Sequence, residues 1–304
     1  LNEYCASFKD NAQRVLNHQF NLLGSGWQSP KYNLNGINSY RANDQLIRVK
    51  KQMSLLLNLD INLMNKYIPI DWQLDFKSDF RWDEKTWYMD VSIGKHLGAD
   101  IKVPWELSRL QHLPQLAISY RQDPSKEYLA KECVFQMTDW IVSNRLRFGV
   151  NWRTSMEVGI RACNMLLTYE LIKKSYHITL EFDQLFQKSL HEHGSHIINN
   201  LETSYFFAGH NHYMANVVGL IFLGISTDNK DSKRWLKFGL EEFNKAIDFQ
   251  FYDDGGNFEG SAYYHRLVLE MVLHTAILIS NNENEVKKII GQEEIFNQRV
   301  SQKI

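Results

Sequence analysis

Two polar clusters in the last third of the chain hold the groups that could do chemistry: Gly209-His210-Asn211-His212-Tyr213, and Asp254-Gly255-Gly256-Asn257-Phe258-Glu259-Gly260-Ser261-Ala262-Tyr263-Tyr264-His265. Each stands at the mouth of an apolar segment of helical period. Together they offer an amide, several imidazoles, a carboxylate and two phenols, a set suited to holding the carboxylate of an acidic sugar and moving protons beside it. In the first cluster, Asn211 just before a helix reads either as a plain N-cap or as part of a carboxylate site. The latter would use its amide, the exposed N–H groups of the helix start and the rings of His210 and His212. In the second, Asp253-Asp254-Gly255-Gly256 is a turn, and Ser261 leads into a helix whose start carries Tyr264. That phenol is either a buried, hydrogen-bonded core residue or a catalytic group beside His265, and Glu259 is correspondingly a cap or a site residue.

Other stretches are more ambiguous. Trp105 and Arg109 lie four residues apart, as a face that stacks a sugar and binds a carboxylate or as a structural cation–π pair. Arg153, Glu157 and Arg161 form a polar stripe that serves as an ion-pair ladder or a ligand site. His191-Glu192-His193-Gly194-Ser195-His196 is not the H-E-x-x-H pattern of zinc peptidases, because His196 falls one residue late. His193 and His196 have no evident acidic or thiolate third ligand, so we expect solvated surface histidines and no metal. The chain has no G-x-S-x-G elbow, no phosphate-binding G-x-x-x-x-G-K-[ST] loop and no G-x-G-x-x-G fingerprint, which argues against the common hydrolase, nucleotide and dinucleotide classes. No cofactor is expected.

The elements that must position these groups are helices. The 304 residues are 44% apolar and 13% aromatic, ample for a packed core. With only five prolines, a 3.6-residue rhythm recurs: about Ala42 to Leu59, Val103 to Arg121 with Pro104 in its first turn, Ser125 to about Arg147, a segment through Met156, Ile160, Cys163, Leu167 and Leu171, then Glu181 to Leu201, His212 to Gly224, Ser232 to Phe251 and Ser261 to Ile279. Short polar connections imply antiparallel helix pairs. Residues 25 to 100, rich in Trp, Asp, Asn and Gly, read as an aromatic excursion laid across the helices. The organisation expected is residues 1–100 as N-terminal helices plus that excursion, continuous with a main helical body over 101–304 that carries the site.

Thirty-four Lys and Arg against 35 Asp and Glu leave a formal charge of −1, so the overall field does not steer the protein toward nucleic acid or an anionic membrane. Cys5, Cys133 and Cys163 are dispersed and imply no disulfide framework. The apolar runs are too short to span a bilayer. Leu1 is not an initiator residue, which reads as a processed or trimmed chain.

On these residues the sequence resembles the heparinase II/III-type polysaccharide lyases, whose relatives include heparan-sulfate, heparosan and alginate lyases. The likeness also takes in Val15-Leu16-Asn17-His18-Gln19-Phe20-Asn21-Leu22-Leu23-Gly24, Ile70-Asp71-Trp72, Gly98 through Arg109 and Asn151-Trp152-Arg153-Thr154-Ser155-Met156-Glu157-Val158-Gly159-Ile160-Arg161. The resemblance implies a mostly α fold, an incomplete α/α toroid of antiparallel helical hairpins, with the family's C-terminal β-sandwich domain, source of a further catalytic His or Tyr, missing from these residues. It implies β-elimination on a uronic-acid polysaccharide and a periplasmic or secreted setting. Asn211 matches the family's Asn that neutralises the uronate carboxylate, and Tyr264 its catalytic Tyr. His212, His210, Trp105, Arg109, Glu157, Arg161, Glu259 and His265 are expected to bind substrate around them. The family's Asn-Asn-His stretch reads His210-Asn211-His212 here, which keeps the amide but changes its neighbour. Two other classes stay open: a helical toroid that binds glycan or scaffolds a partner without cleaving, and an α/α-barrel glycoside hydrolase using two of Glu259, Glu157 and Asp254.

Overall fold

The computed structural model describes residues 11–34, 39–203 and 209–303, with the side chains of residues 39–41 and 302 excepted. Cys5 and the Tyr205-Phe206-Phe207-Ala208 part of the first cluster's approach lie outside the described residues. Contacts divide the chain into two compact units, Leu1–Arg153 with Leu167–Ser189, and Thr154–Leu166 with Leu190–Ile304.

The first unit contains a helix over residues 11–16 (α1), then α2 (Ser39–Leu56), α3 (Ile61–Lys66), a hairpin of β1 (Leu74–Asp75) and β2 (Phe80–Arg81), α4 (Lys102–Ser108), α5 (His112–Gln122) and α6 (Glu127–Ser143). Helix α6 packs against both α5 and α2. The sequence rhythm from Val103 to Arg121 runs as one helix, but the structure breaks it: Leu110 takes a left-handed φ of 58° between α4 and α5. Pro114 explains the break. Its missing N–H is harmless in the first turn of α5, whereas in a continuous helix its ring would collide with the carbonyl of Leu110.

The stretch before α4 is tied down by buried polar groups. Asp139 of α6 accepts hydrogen bonds from the Tyr67 hydroxyl (3.0 Å), the Ile70 N–H (2.8 Å) and the Ser143 hydroxyl (2.9 Å). Asn151 donates to the Trp72 carbonyl and to Asn144, which also accepts from Gln73. A segment with so little regular structure must send its backbone and amide groups to side chains when buried, and the Asp, Asn and Gln residues between 67 and 151 do this. Burial pushes the Asp139 carboxyl up to about 6, against the lowering effect of the hydrogen bonds it accepts.

Helices α7 (Ser155–Ile172) and α8 (Leu180–Asn199) each contribute residues to both units. The rest of the second unit is α9 (Asn211–Ser226), α10 (Ser232–Gln250), α11 (Ala262–Asn281), α12 (Glu283–Ile290) and α13 (Gln298–Lys303). Helix α9 is apolar on nearly every side and almost wholly buried, packed by α10 and α11. Glycines let it be approached closely. A Cβ on Gly159 of α7 would lie 2.4 Å from the Ala215 carbonyl, one on Gly219 would lie 2.8 Å from Gly159 Cα, and one on Gly239 of α10 would lie 2.7 Å from Ile221. Contacts of this kind seat the middle of α9 closely against α7 and α10. Among the described residues the only sheet is the short β1–β2 hairpin, and no helix is long and apolar enough to cross a membrane.

Candidate functional site

The start of α9 is built from the sequence His210-Asn211-His212. His210 is the N-cap, with extended backbone at φ −140° and ψ 170°, and Asn211 is the first helical residue rather than the cap. The side chain of His210 makes no capping bond. The Asn211 N–H, one of the orphan donors of the helix start, is met instead from the loop between α10 and α11, which doubles back through a Phe251–Asn257 bridge.

Glu259 in that loop accepts the Asn211 backbone N–H on Oε1 at 2.7 Å, and the Asn211 side-chain Nδ2 approaches both its oxygens, at 3.0 and 2.9 Å. A carboxylate at a helix N-terminus is favoured by the helix dipole as well as by these bonds. The contact fixes the amide's orientation, because turning it over would set Oδ1 against the carboxylate. The two oxygens of one carboxylate subtend a much smaller angle at Nδ2 than its two N–H bonds do. One hydrogen therefore serves both oxygens, and the second remains for a ligand. Asn211 Oδ1, Gln250 Oε1 and Asn257 Nδ2 are buried with no hydrogen-bond partner among the described residues.

A second carboxylate holds the other side of the cluster. Glu202, in the connection after α8, meets His212 Nδ1 at 3.0 Å through Oε1, while Oε2 accepts the Met156 N–H at 2.6 Å and lies 3.4 Å from Asn216 Nδ2. Burial raises the Glu202 carboxyl, but His212, the Met156 N–H and Asn216 outweigh it, and the net shift is downward. The His210 and His212 rings stand edge to face, 5.4 Å apart. Burial and the neighbouring His212 push the His210 imidazole down, against the upward pull of Glu202 and Glu259. Sequence reasoning does not single out Glu202, since nothing in Asn200-Leu201-Glu202-Thr203 distinguishes it from a solvated linker residue.

Tyr264 stands in the first turn of α11, five residues after Glu259, and Ser261 caps that turn by accepting the Tyr264 N–H at 3.4 Å. Its side chain is 40% exposed, edge-on to Tyr263, and its hydroxyl bonds none of the described residues. This excludes the buried, hydrogen-bonded core tyrosine that the sequence also allows. His265 points elsewhere, its ring edge-on to Phe251, because consecutive helical residues diverge by roughly 100°.

The structure corrects several other expectations. Trp105 is 8% exposed, buried in a cluster with Trp82, Val91, Ile101 and Val150, and its Nε1–H donates to the Val150 carbonyl. It offers no stacking face. Arg109 is buried too and pairs with Glu106 at 2.5 Å. Glu157 and Arg161 are buried, with the Arg161 Nε–H donating to His193 Nε2 at 3.0 Å. Burial brings the Arg161 guanidinium down to about 9, against the pull of Glu157, so it stays charged near neutrality as an interior cation. His193 and His196 are buried, not solvated, since both lie on the inward face of α8. The partly exposed His191 pairs with Asp231 at 3.1 Å and packs on Trp235. The described residues contain no cluster of three or more potential metal ligands.

Known proteins share this arrangement of helices and parts of its sequence. A heparin-sulfate lyase of Pedobacter heparinus is 31% identical over 180 residues, 57% of this chain and 26% of that protein. One of Bacteroides stercoris is 27% identical over 190 residues, 55% and 27% respectively. The chain thus spans about a quarter of the length of these relatives. Among solved structures, the heparan sulfate lyase HepC of Pedobacter heparinus matches 98% of this chain and 36% of its own at a TM-score of 0.59 and 22% identity. The heparinase III BT4657 gene product matches 90% and 46% at 0.51 and 19%. These likenesses support the fold class as mostly α and an incomplete α/α toroid. The model of the heparinase II/III N-terminus matches residues 18–302, nearly the whole chain, and the chain belongs to the heparinase II/III family of polysaccharide lyases.

Proposed function

We propose that this chain carries the helical part of the active site of a lyase that cleaves a uronic-acid glycan by β-elimination. The observation that carries the reading is the start of α9. There an amide is held by Glu259 with one N–H left to give, beside an imidazole held by Glu202. Elimination removes the proton at C5 of a uronate, forms the C4–C5 double bond and breaks the C4–O4 bond. The C5 proton is acidic enough only if the adjacent carboxylate, which gains charge as the proton leaves, is met by donors already in place. The remaining Asn211 N–H, His212 and the positive end of α9 supply such donors. Tyr264, exposed at the start of α11, is the acid that protonates the leaving O4, and the C5 proton passes to a separate base, the role for which the family resemblance offers the His or Tyr of the C-terminal domain. Phenols ordinarily hold their proton up to a pKa of about 10, so this role needs no activation.

The hydrolytic alternative is less well supplied. Glu157 is buried, Glu259 is engaged with Asn211, and Asp254 accepts the Gly256 N–H within its turn. The deciding experiment incubates the full-length protein with heparosan, heparan sulfate, hyaluronan, alginate and chondroitin and follows the ultraviolet absorbance of the 4,5-unsaturated uronate. We expect a rise on at least one glycan, with the rate cut by about 10²-fold or more in Asn211→Ala and Tyr264→Phe. Reducing ends released with no absorbance would instead establish hydrolysis. Saturable binding with neither product would establish a non-catalytic module.

A further inference from the structure

We propose that Trp87, Arg145 and Arg147 form a subsite for an acidic sugar of a glycan: the exposed indole stacks on the sugar's C–H face while the two guanidiniums meet its carboxylate or sulfate. The choice of a glycan as ligand rests on the lyase reading. The affinity of this surface for anions does not.

The connection after α6 reads Asn144-Arg145-Leu146-Arg147-Phe148-Gly149-Val150-Asn151-Trp152-Arg153, with three arginines and no acidic residue. Its first half lies against the segment around Trp87. Trp87 and Phe148 form an antiparallel bridge, the Arg147 carbonyl accepts the Tyr88 N–H at 3.0 Å, and the Thr86 carbonyl accepts the Gly149 N–H at 2.8 Å. Bridge partners project their side chains to the same side, so the Trp87 and Phe148 rings meet edge to face at 5.5 Å. The Arg145 guanidinium lies over the Phe148 ring, 4.5 Å from its centroid. One continuous surface results, Arg145 on Phe148 beside Trp87, and the Trp87 indole is 38% exposed. An aromatic face beside a cation, which the sequence also allows at Trp105 and Arg109, is realised here: those two are buried, whereas Trp87 and Arg145 are exposed.

The cations of this surface lack counter-ions. Among the described residues neither Arg145 nor Arg147 forms an ion pair, and the Nε of the half-buried Arg147 is cut off from water with no hydrogen-bond partner. Of the acidic residues in the facing segment, Glu84 pairs with Arg81 at 2.8 Å and Asp83 accepts the Lys85 N–H in its own turn. Arg81, half-buried like Arg147, has Asp71, Glu84 and Gln45 as partners. A guanidinium partly withdrawn from water and left without an anion gains more from an incoming carboxylate or sulfate than a fully solvated one. Arg147 also holds a left-handed φ of 64°, a conformation that Gly or Asn adopts at less cost. Strain retained under a long cation points to a use for that cation. Basic and aromatic groups together also suit a nucleic acid, but a formal charge of −1 gives no field to gather so dense a polyanion.

The test is equilibrium binding of heparosan, heparan sulfate, a neutral oligosaccharide and a single-stranded oligonucleotide to the full-length protein, in a Tyr264→Phe background that slows turnover. We expect both acidic glycans to bind and the neutral one not to, with an affinity that falls as salt is added. Arg145→Gln and Arg147→Gln should each weaken binding about fivefold, the upper range for a partly exposed ion pair. Trp87→Ala should weaken it about tenfold, the effect of uncovering roughly 55 Å² of apolar surface. A larger loss on heparan sulfate than on heparosan assigns the arginines to sulfate, and an equal loss assigns them to the carboxylate. Binding unchanged in all three variants, no binding of either acidic glycan, or equal binding of the neutral one would overturn the proposal. So would an oligonucleotide that binds as tightly and weakens in the same variants. The arginine variants decide even if Trp87→Ala fails to fold. Unsaturated product formed without the Tyr264 substitution, with KM unmoved by the three changes, would refute the subsite alone. Binding that depends on these residues, with no unsaturated product on any glycan, would refute the lyase reading and leave the subsite standing.

Discussion

Replacing Glu259 with Gln separates the two things its carboxylate does. In the wild type, Oε1 accepts the Asn211 backbone N–H at 2.7 Å while both oxygens face the Asn211 side-chain amide. The Glu259→Gln side chain keeps one oxygen for the backbone N–H but sets an NH₂ group where the second oxygen stood. Two donors cannot face each other, so the Asn211 amide turns over and offers its oxygen, and its NH₂ leaves the orientation that the carboxylate enforces.

Stability should fall modestly in this variant, by about 1–2 kcal/mol, because a charge-assisted contact at a partly exposed helix start is exchanged for a neutral one. The rate should fall much further. Losing one preorganised donor to a developing oxyanion costs about 10²–10³ in kcat, with a smaller effect on KM. Steady-state kinetics on the glycan that yields unsaturated product, paired with a thermal melt, read both quantities. A Glu259→Gln enzyme that melts slightly early yet keeps kcat within about threefold of wild type would refute the claim that this carboxylate orients Asn211.

Two further outcomes follow from the burial pattern. Trp105→Ala should cost about 3–5 kcal/mol of stability and leave KM for glycan unchanged in the protein that folds, since the indole lies in the core; a stable variant with KM raised about tenfold would restore the stacking role. Asp139, whose carboxyl is raised from 3.8 to about 6, binds its proton more tightly folded than unfolded, so its contribution to stability is present below 3.8 and is lost as pH rises through 6. The stability of the wild type relative to Asp139→Asn, from urea melts, should therefore decrease across that window, and a constant difference would contradict the raised carboxyl.

The periodicity of α7 through α11 is legible in the sequence to within a few residues, because these helices bury one face or nearly all of it, and burial writes itself into the spacing of apolar residues. The two polar clusters are legible for a related reason: each interrupts such a pattern where the chain enters a helix. Asn211 and Tyr264 can be placed at helix starts from local signals alone. The break at Leu110 is written there too, in Pro114, but a rhythm that continues in phase on both sides conceals it.

What only the tertiary structure decided is which side chains meet. Trp105 and Arg109 share a spacing suited to either a ligand face or a core, and packing against Val150 settled the tryptophan as core. Glu157, Arg161 and His193 read as a polar surface stripe and a solvated histidine, yet they turn inward. Glu259 reaches Asn211 across 48 residues of chain, and Glu202 reaches Met156 across 46. No local propensity encodes contacts at such separations, because helix spacing fixes neighbours only within about four residues. The sequence determined the helices and the chemical groups at their starts; tertiary packing decided which carboxylate holds which of them.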